Sequence, residues 1–237
     1  MEEEEEDDDI CKVVLLGEAG VGKTSIISRF YNGTFEESLM STNGASYVCR
    51  NITFPEYENK LVKFEIWDTA GQEQYRALNK IFYKDASICI LVYDITNIKS
   101  FNTLKEYWYQ EILNSAPQKI VLGLAANKSD LFDREAVSEE MARNFAKEIN
   151  AIFMYTSASK FIGIDELFHN VGCKYIDPNY KGGEVSIKDV QKNIEKKKDE
   201  NINNKHNKDN KHKNKNKKIK IDKKSHKDAE GKKKKKC

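Results

Sequence analysis

Residues 17–25 read GEAGVGKTS and follow directly on the apolar run VVLL. A glycine-framed loop between a buried strand and a helix is a phosphate cradle. Its backbone N–H groups point inward, and the helix N-terminus adds its dipole. Gly17, Glu18, Ala19, Gly20, Val21, Gly22, Lys23, Thr24 and Ser25 make up this loop and the start of the helix. Lys23 has the reach for β- and γ-phosphates, and the Thr24 hydroxyl is a ligand for Mg²⁺. A phosphate loop alone does not say which nucleotide is held or what is done with it.

Three further stretches narrow the chemistry. WDTAGQE, residues 67–73, closes an apolar run. Asp68 there can hold Mg²⁺ through water, Gly71 can bring its N–H close to a γ-phosphate, and Gln72 can orient an attacking water. NKSD, residues 127–130, follows the run KIVLGLAA. The Asp130 carboxylate only accepts hydrogen bonds, and guanine offers two adjacent donors that adenine lacks. Asn127 and Lys128 are placed to tie this loop to the phosphate loop and cover the base. TSAS, residues 156–159, follows the last apolar run; Ser157, Ala158 and Ser159 are candidates to border the base, and the Ala158 N–H can donate to guanine O6.

The elements that must position these stretches alternate. ICKVVLLG, SICILVYD, KIVLGLAAN and AIFMYTS read as buried strands. VGKTSIISRFYNG, NIKSFNTLKEYWYQEILNS, SEEMARNFAKEIN and GIDELFHNVGCKYI read as helices, the third with Ser138 as N-cap. ASYVCRNITF and KLVKFEIWD, joined by PEYENK, read as a hairpin-like pair. Such alternation implies an α/β domain, a mostly parallel sheet with helices on both faces and one antiparallel strand.

Charge divides the chain of 237 residues. Its net +2 hides an acidic run EEEEEDDD after Met1 and a tail from Lys181 with 22 lysines against nine acids. Residues 1–9 are expected to form an acidic arm, 10–177 the globular domain, and 178–237 a disordered Lys/Asn-rich tail too poor in apolar residues to offset ordering. Within the tail, EVSIKDVQKNIEKKKDE carries a marginal helical pattern. Cys11, Cys49, Cys89 and Cys173 show no paired spacing and are expected as reduced, buried thiols. No signal peptide and no apolar stretch near 18 residues is seen, so no membrane span is expected.

The order GxxxxGKT, DTAGQ, NKxD and TSA resembles the Ras superfamily of small GTPases. KFEIWDTAGQEQYRAL, IFYKDA and LVYDITN are similar to segments that mark the Rab family. The resemblance implies a six-stranded mixed sheet and a GTP/GDP switch with Mg²⁺, working in membrane traffic. It implies that Phe35 stacks on the guanine edge and that Thr42 reaches Mg²⁺ and the γ-phosphate. It implies exchange factors, activating proteins, effectors and prenyl-Rab escort or dissociation factors as partners of a monomer. Tyr47, Phe64, Trp67 and Tyr75 are the expected aromatic surface for effectors, and the Ala45–Ser46 pair looks most similar to the endocytic subgroup. The implied location is the cytosol and the cytoplasmic face of an endosomal or Golgi membrane.

Departures from the family pattern carry expectations too. Asn43 stands where Ile is usual after the switch threonine. Ala19 puts a methyl where it can crowd Gln72, implying slow hydrolysis without an activating protein. Ser159 replaces the usual Lys, with little effect expected because the neighbouring donor is backbone. The chain ends GKKKKKC, one cysteine and not a C-a-a-X box. A single lipid on Cys237 assisted by the five lysines is the expected membrane anchor. Competing readings are a binding-only pseudo-GTPase and a nucleic-acid-associated GTPase recruited by the lysine tail. The tail's scarcity of Arg and lack of interleaved aromatics argue against base stacking. The acidic arm reads as solvated, or as a mask for the lysine tail.

Overall fold

Strand β1 (Asp9–Leu16) is central because its neighbours lie on both sides: β3 (Lys60–Thr69) and β4 (Ile88–Asp94), each parallel to it. β5 (Val121–Asn127) and β6 (Ile152–Tyr155) extend the sheet in parallel, and β2 (Ala45–Phe54) pairs antiparallel with β3 at the other edge. The order β2-β3-β1-β4-β5-β6 is the expected six-stranded mixed sheet. The computed structural model describes residues 9–36, 45–69, 83–183, 187–188, 190–192 and 194. The chain divides into two units, Met1–Gln191 and Lys192–Cys237, and the fold is that of the first.

Helices cover both faces. α1 (Lys23–Asn32) and α4 (Ile164–Ile176) share one core with Val13, Leu15, Phe64, Ile66, Ile90 and Val92. Phe30 of α1 stacks on Phe168 of α4 with ring centroids 3.8 Å apart. On the other face lie α2 (98–115) and α3 (Glu139–Glu148). Phe101 of α2 meets Tyr93 of β4 and Phe145 of α3. Side chains alternate along a strand, so each central strand supplies both cores and reads as an apolar run. β4 is buried at all seven positions. α2 is α-helical over Ile98–Thr103 and Tyr109–Ser115, with a π-helical stretch Leu104–Trp108 between them.

Local signals end and begin these helices as expected. Gly33 closes α1 at φ 73°, its N–H returning to the Arg29 carbonyl. Ser138 caps α3 by accepting from the Met141 N–H at 3.3 Å. The β2–β3 connection is a 3₁₀ turn, Pro55–Tyr57, followed by Glu58 and Asn59 at positive φ.

Two boundaries differ from the expected ones. Asp9, the last residue of the acidic run, already belongs to β1. Its carboxylate pairs with Lys60 at 2.7 Å and accepts from the Tyr175 hydroxyl at 2.9 Å, which holds it in the sheet. At the other end the chain stays against the domain beyond residue 177. The Tyr180 hydroxyl donates to Asn170 Oδ1 at 2.5 Å, and the Gly183 N–H donates to the same oxygen at 3.1 Å. Residues 187, 188, 190 and 191 are helical, and Val190 is buried. Among the described residues no helix is long and apolar enough to cross a membrane.

Gly172 allows α4 to lie close to the sheet. A Cβ there would stand 2.3 Å from Phe54 Cζ and 3.0 Å from Phe64 Cζ, both on fully buried rings. Alanine gains about 1 kcal/mol of helix propensity over glycine in a helix interior. Overpacking of a filled core costs about 1–3 kcal/mol. Gly172→Ala is therefore expected to lower the urea midpoint of unfolding; an unchanged or raised midpoint would show that the two rings give way freely.

Candidate nucleotide site

The C-terminal ends of the parallel strands deliver every candidate loop to one edge of the sheet, where open α/β sheets hold ligands. β1 ends at Leu16, and residues 17–22 turn into α1. Gly17 has φ 150° and a Cβ there would lie 2.2 Å from the Val92 carbonyl oxygen; at Gly22, φ 99°, it would lie 2.4 Å from Asn127 Nδ2. No larger residue fits either place. The N-terminus of α1 has no side-chain cap and no acidic residue in its first turn. Its leading N–H groups and dipole thus favour an anion.

Lys23 is 5% exposed. Its ammonium donates to the carbonyls of Gly17 at 2.8 Å and Glu18 at 3.0 Å. Burial lowers its pKa to about 8, opposed by the negative charges of Asp68 and Glu18. Thr24 Oγ1 donates to Asp68 Oδ2 at 2.6 Å, and Asp68 is buried at the end of β3. A hydroxyl and a carboxylate in contact beside a phosphate loop form a hard oxygen donor set that fits Mg²⁺. Thr69 Oγ1 donates to the Leu15 carbonyl at 2.6 Å and pins the end of β3 to β1.

The second half of the site is a polar network around Asn127, which is 2% exposed. Its Nδ2 donates to the Val21 carbonyl at 2.7 Å, inside the phosphate loop. Its Oδ1 accepts from the buried Thr156 hydroxyl at 3.1 Å. One side chain therefore joins three loops. Lys128 sits at φ 62° and pairs with Asp94 Oδ2 at 2.7 Å. Asp130 accepts from Ser157 Oγ at 2.6 Å on one oxygen and from Ser159 Oγ at 2.8 Å on the other. A carboxylate offers about four lone-pair sites, so it keeps capacity for an external donor.

The structure thus brings together Gly17 to Ser25, Asp68, Asn127, Lys128, Asp130 and Ser157 to Ser159. It adds residues the sequence did not reveal. Arg29 donates to the Ala158 carbonyl at 2.6 Å and to that of Ser159 at 3.3 Å, binding α1 to the loop after β6. Its guanidinium carbon lies 5.6 Å from the Phe35 ring centroid, placing half-buried Phe35 at the same end. Trp108, in the π-helical stretch, donates to Glu18 Oε1 at 3.3 Å. Ser159 acts through its hydroxyl as well as its backbone. Ala19 lies on the exposed rim of the loop. Thr42, Asn43, Gly71, Gln72, Tyr75 and Cys237 lie outside the described residues.

One expectation is corrected. Phe64 is fully buried and belongs to the core under α4, not to a surface for partners. Its position in β3 decides this: Phe64, Ile66 and Asp68 share one face, and Trp67 shares the other with exposed Tyr47, ring centroids 5.0 Å apart. Cys11, Cys89 and Cys173 are buried as expected, whereas Cys49 is only partly so, its thiol donating to the Tyr47 hydroxyl at 2.7 Å.

Removing the Asn127 amide strands the Val21 carbonyl and the Thr156 hydroxyl. A stranded buried polar group costs about 1–3 kcal/mol. Asn127→Ala is expected to destabilise the domain by that order in urea unfolding, and a variant as stable as the parent would show that the network is not structural.

Comparison with known proteins agrees with the geometry. The Ras family model matches residues 12–176. Ras-related protein Rab-22A of Homo sapiens is 46% identical over 157 residues, 66% of this chain and 79% of that protein. Ras-related protein Rab-31 of Homo sapiens is 40% identical over 179 residues, 75% of this chain and 90% of that protein. With the sheet order, the uncapped phosphate loop and this similarity in hand, the chain belongs to the Ras family as a GTP-hydrolysing small GTPase of the Rab type.

Proposed function

We propose that this chain is a guanine-nucleotide switch of membrane traffic whose GTP-bound form recruits effectors. The observation that carries this reading is the Asp130 carboxylate, held on both oxygens by Ser157 and Ser159, which follow directly on the Thr156 that bonds to Asn127 and through it the phosphate loop. The backbone of residues 17–25 cradles the phosphates, with Lys23 turned onto them. Phe35, Asn127, Lys128 and the loop 157–159 enclose the base, and Asp130 accepts its paired donors. Thr24, Asp68 and Thr42 hold Mg²⁺, which neutralises phosphate charge when bound.

Hydrolysis is the off step. Gln72 orients the attacking water, and the Gly71 N–H and Thr42 read the γ-phosphate; these three roles rest on the DTAGQ motif and the family pattern. Ala19, where a Gly or Ser is common in the family pattern, supports slow turnover that an activating protein raises. Tyr47 and Trp67 form an aromatic surface for effectors, and exchange and prenyl-escort factors complete the cycle. The Ala45–Ser46 pair and the KFEIWDTAGQEQYRAL stretch, similar to the endocytic subgroup, support the cytoplasmic face of an endosomal or Golgi membrane as the working place. Lipid on Cys237 together with the preceding lysines is the anchor.

The deciding experiment is nucleotide competition. Hydrogen bonds to a charged group contribute about 1.5–3 kcal/mol each, so the one acceptor that Asn lacks at position 130 corresponds to roughly 10–10²-fold in affinity. Wild type is expected to bind GDP far more tightly than ADP, and Asp130→Asn to lose most of that preference. A variant that keeps full guanine preference would overturn the assignment.

A second test uses Lys23. Its pKa of about 8 lies below the ordinary lysine value because of burial. Phosphate charge restores the ammonium, so binding at pH 8 takes up roughly half a proton per nucleotide, fading below pH 7 where Lys23 is already charged. Calorimetry of GDP binding in two buffers of different ionisation enthalpy reads this directly. No uptake at pH 8 would place Lys23 away from the phosphates.

A further inference from the structure

At the opposite end of β3 from Asp68, three donor atoms of different chemistry converge. Glu56 comes from the Pro55–Tyr57 turn, and His169 and Cys173 come from α4. The two helical residues are four apart, so they stand one above the other on a single face. His169 Nε2 lies 2.6 Å from Glu56 Oε1 and 3.5 Å from Cys173 Sγ, and the thiol lies 4.0 Å from Glu56 Oε1. All three donor atoms fall within 4.8 Å of one another.

These separations can be set against a metal's needs. Tetrahedral zinc, with bonds of about 2.3 Å to sulfur and 2.0–2.1 Å to nitrogen or oxygen, spaces its S and N ligands about 3.5 Å apart and its N and O ligands about 3.3 Å apart. The Cys173–His169 distance already matches. Only Glu56 has to move, by less than about 1 Å, and its side chain is 47% exposed. The imidazole is already oriented: Phe54 stacks against it at 22° with centroids 5.4 Å apart. The His169 side chain is 36% exposed, which leaves the fourth position to water.

We propose that Glu56, His169 and Cys173 form a binding site for a zinc-class divalent ion, separate from the nucleotide site. One sulfur, one nitrogen and one oxygen donor suit a borderline transition ion and not Mg²⁺ or Ca²⁺. Binding takes the thiolate and the neutral imidazole, and the thiol proton goes to solvent. β3 is ten residues long, so the ion would lie about 30 Å from Asp68. It would staple the β2–β3 turn to α4 just before the chain leaves the helix.

Cobalt(II) tests this, because a thiolate ligand gives it a sulfur-to-metal charge-transfer band and a tetrahedral site gives strong visible bands. The full chain, kept reduced without thiol reagents and in excess Mg²⁺, is titrated with Co²⁺ and then Zn²⁺. Both bands are expected to saturate at one equivalent and to bleach on adding Zn²⁺. They should vanish in Cys173→Ser and persist in Cys237→Ser. Glu56 and His169 are accessible, so Glu56→Gln and His169→Ala are expected to fold. Each should weaken binding by more than the roughly 10–100-fold that loss of an outer-shell partner costs. Absence of the bands in the wild type overturns the proposal and leaves a hydrogen-bonded carboxylate and imidazole over a buried thiol. So do bands unchanged in His169→Ala, or bands lost only in Cys237→Ser.

Discussion

A single buried amide sets the dimensions of the nucleotide site. Asn127 ends β5, but its side chain belongs to the phosphate loop through Val21 and to the last loop through Thr156. Those three segments are far apart in sequence, and parallel strands bring only their starting points together. The amide fixes the remaining distance. A nucleotide has a fixed length from base to phosphate, so a site that recognises both ends needs such a spacer. Gly22 follows from the same constraint, since any side chain there would occupy the space of Asn127 Nδ2.

Around that spacer the charges oppose one another. Lys23 is buried yet close to Asp68 and Glu18, and α1 presents an uncapped N-terminus. Asp68 is itself buried and in contact with Thr24. The strand ends therefore present fixed positive and negative groups in a small space. Such preorganised groups favour a polyanion accompanied by a cation over either alone. Second-layer pairs hold the arrangement: Asp94 on Lys128, Ser157 and Ser159 on Asp130, Trp108 on Glu18.

What could be read in the sequence was what depends on neighbours in sequence. The strands were legible because two-sided burial makes continuous apolar runs, and the loops because phosphate and base contacts demand fixed residue types in short spans. Ser138 was legible as a cap for the same reason. Residue type alone assigns Phe64 to an aromatic surface, whereas the alternation of β3 puts it in the core with Val62 and Ile66. Arg29 with Ala158 and Lys128 with Asp94 were not legible: their partners lie 129 and 34 positions away, and only the sheet order brings them together. The π-helical stretch in α2 has no signature in residue type, yet it carries the Trp108 indole that donates to Glu18.

The hydrogen bond between Tyr175 and Asp9 has a consequence for how the domain opens. It joins the start of β1 to the last turn of α4, two segments 166 positions apart. The ends of a fold ordinarily fray at almost no cost in free energy. Here the Asp9 carboxylate, held by Tyr175 and by Lys60, makes the first strand and the closing helix lose their order together.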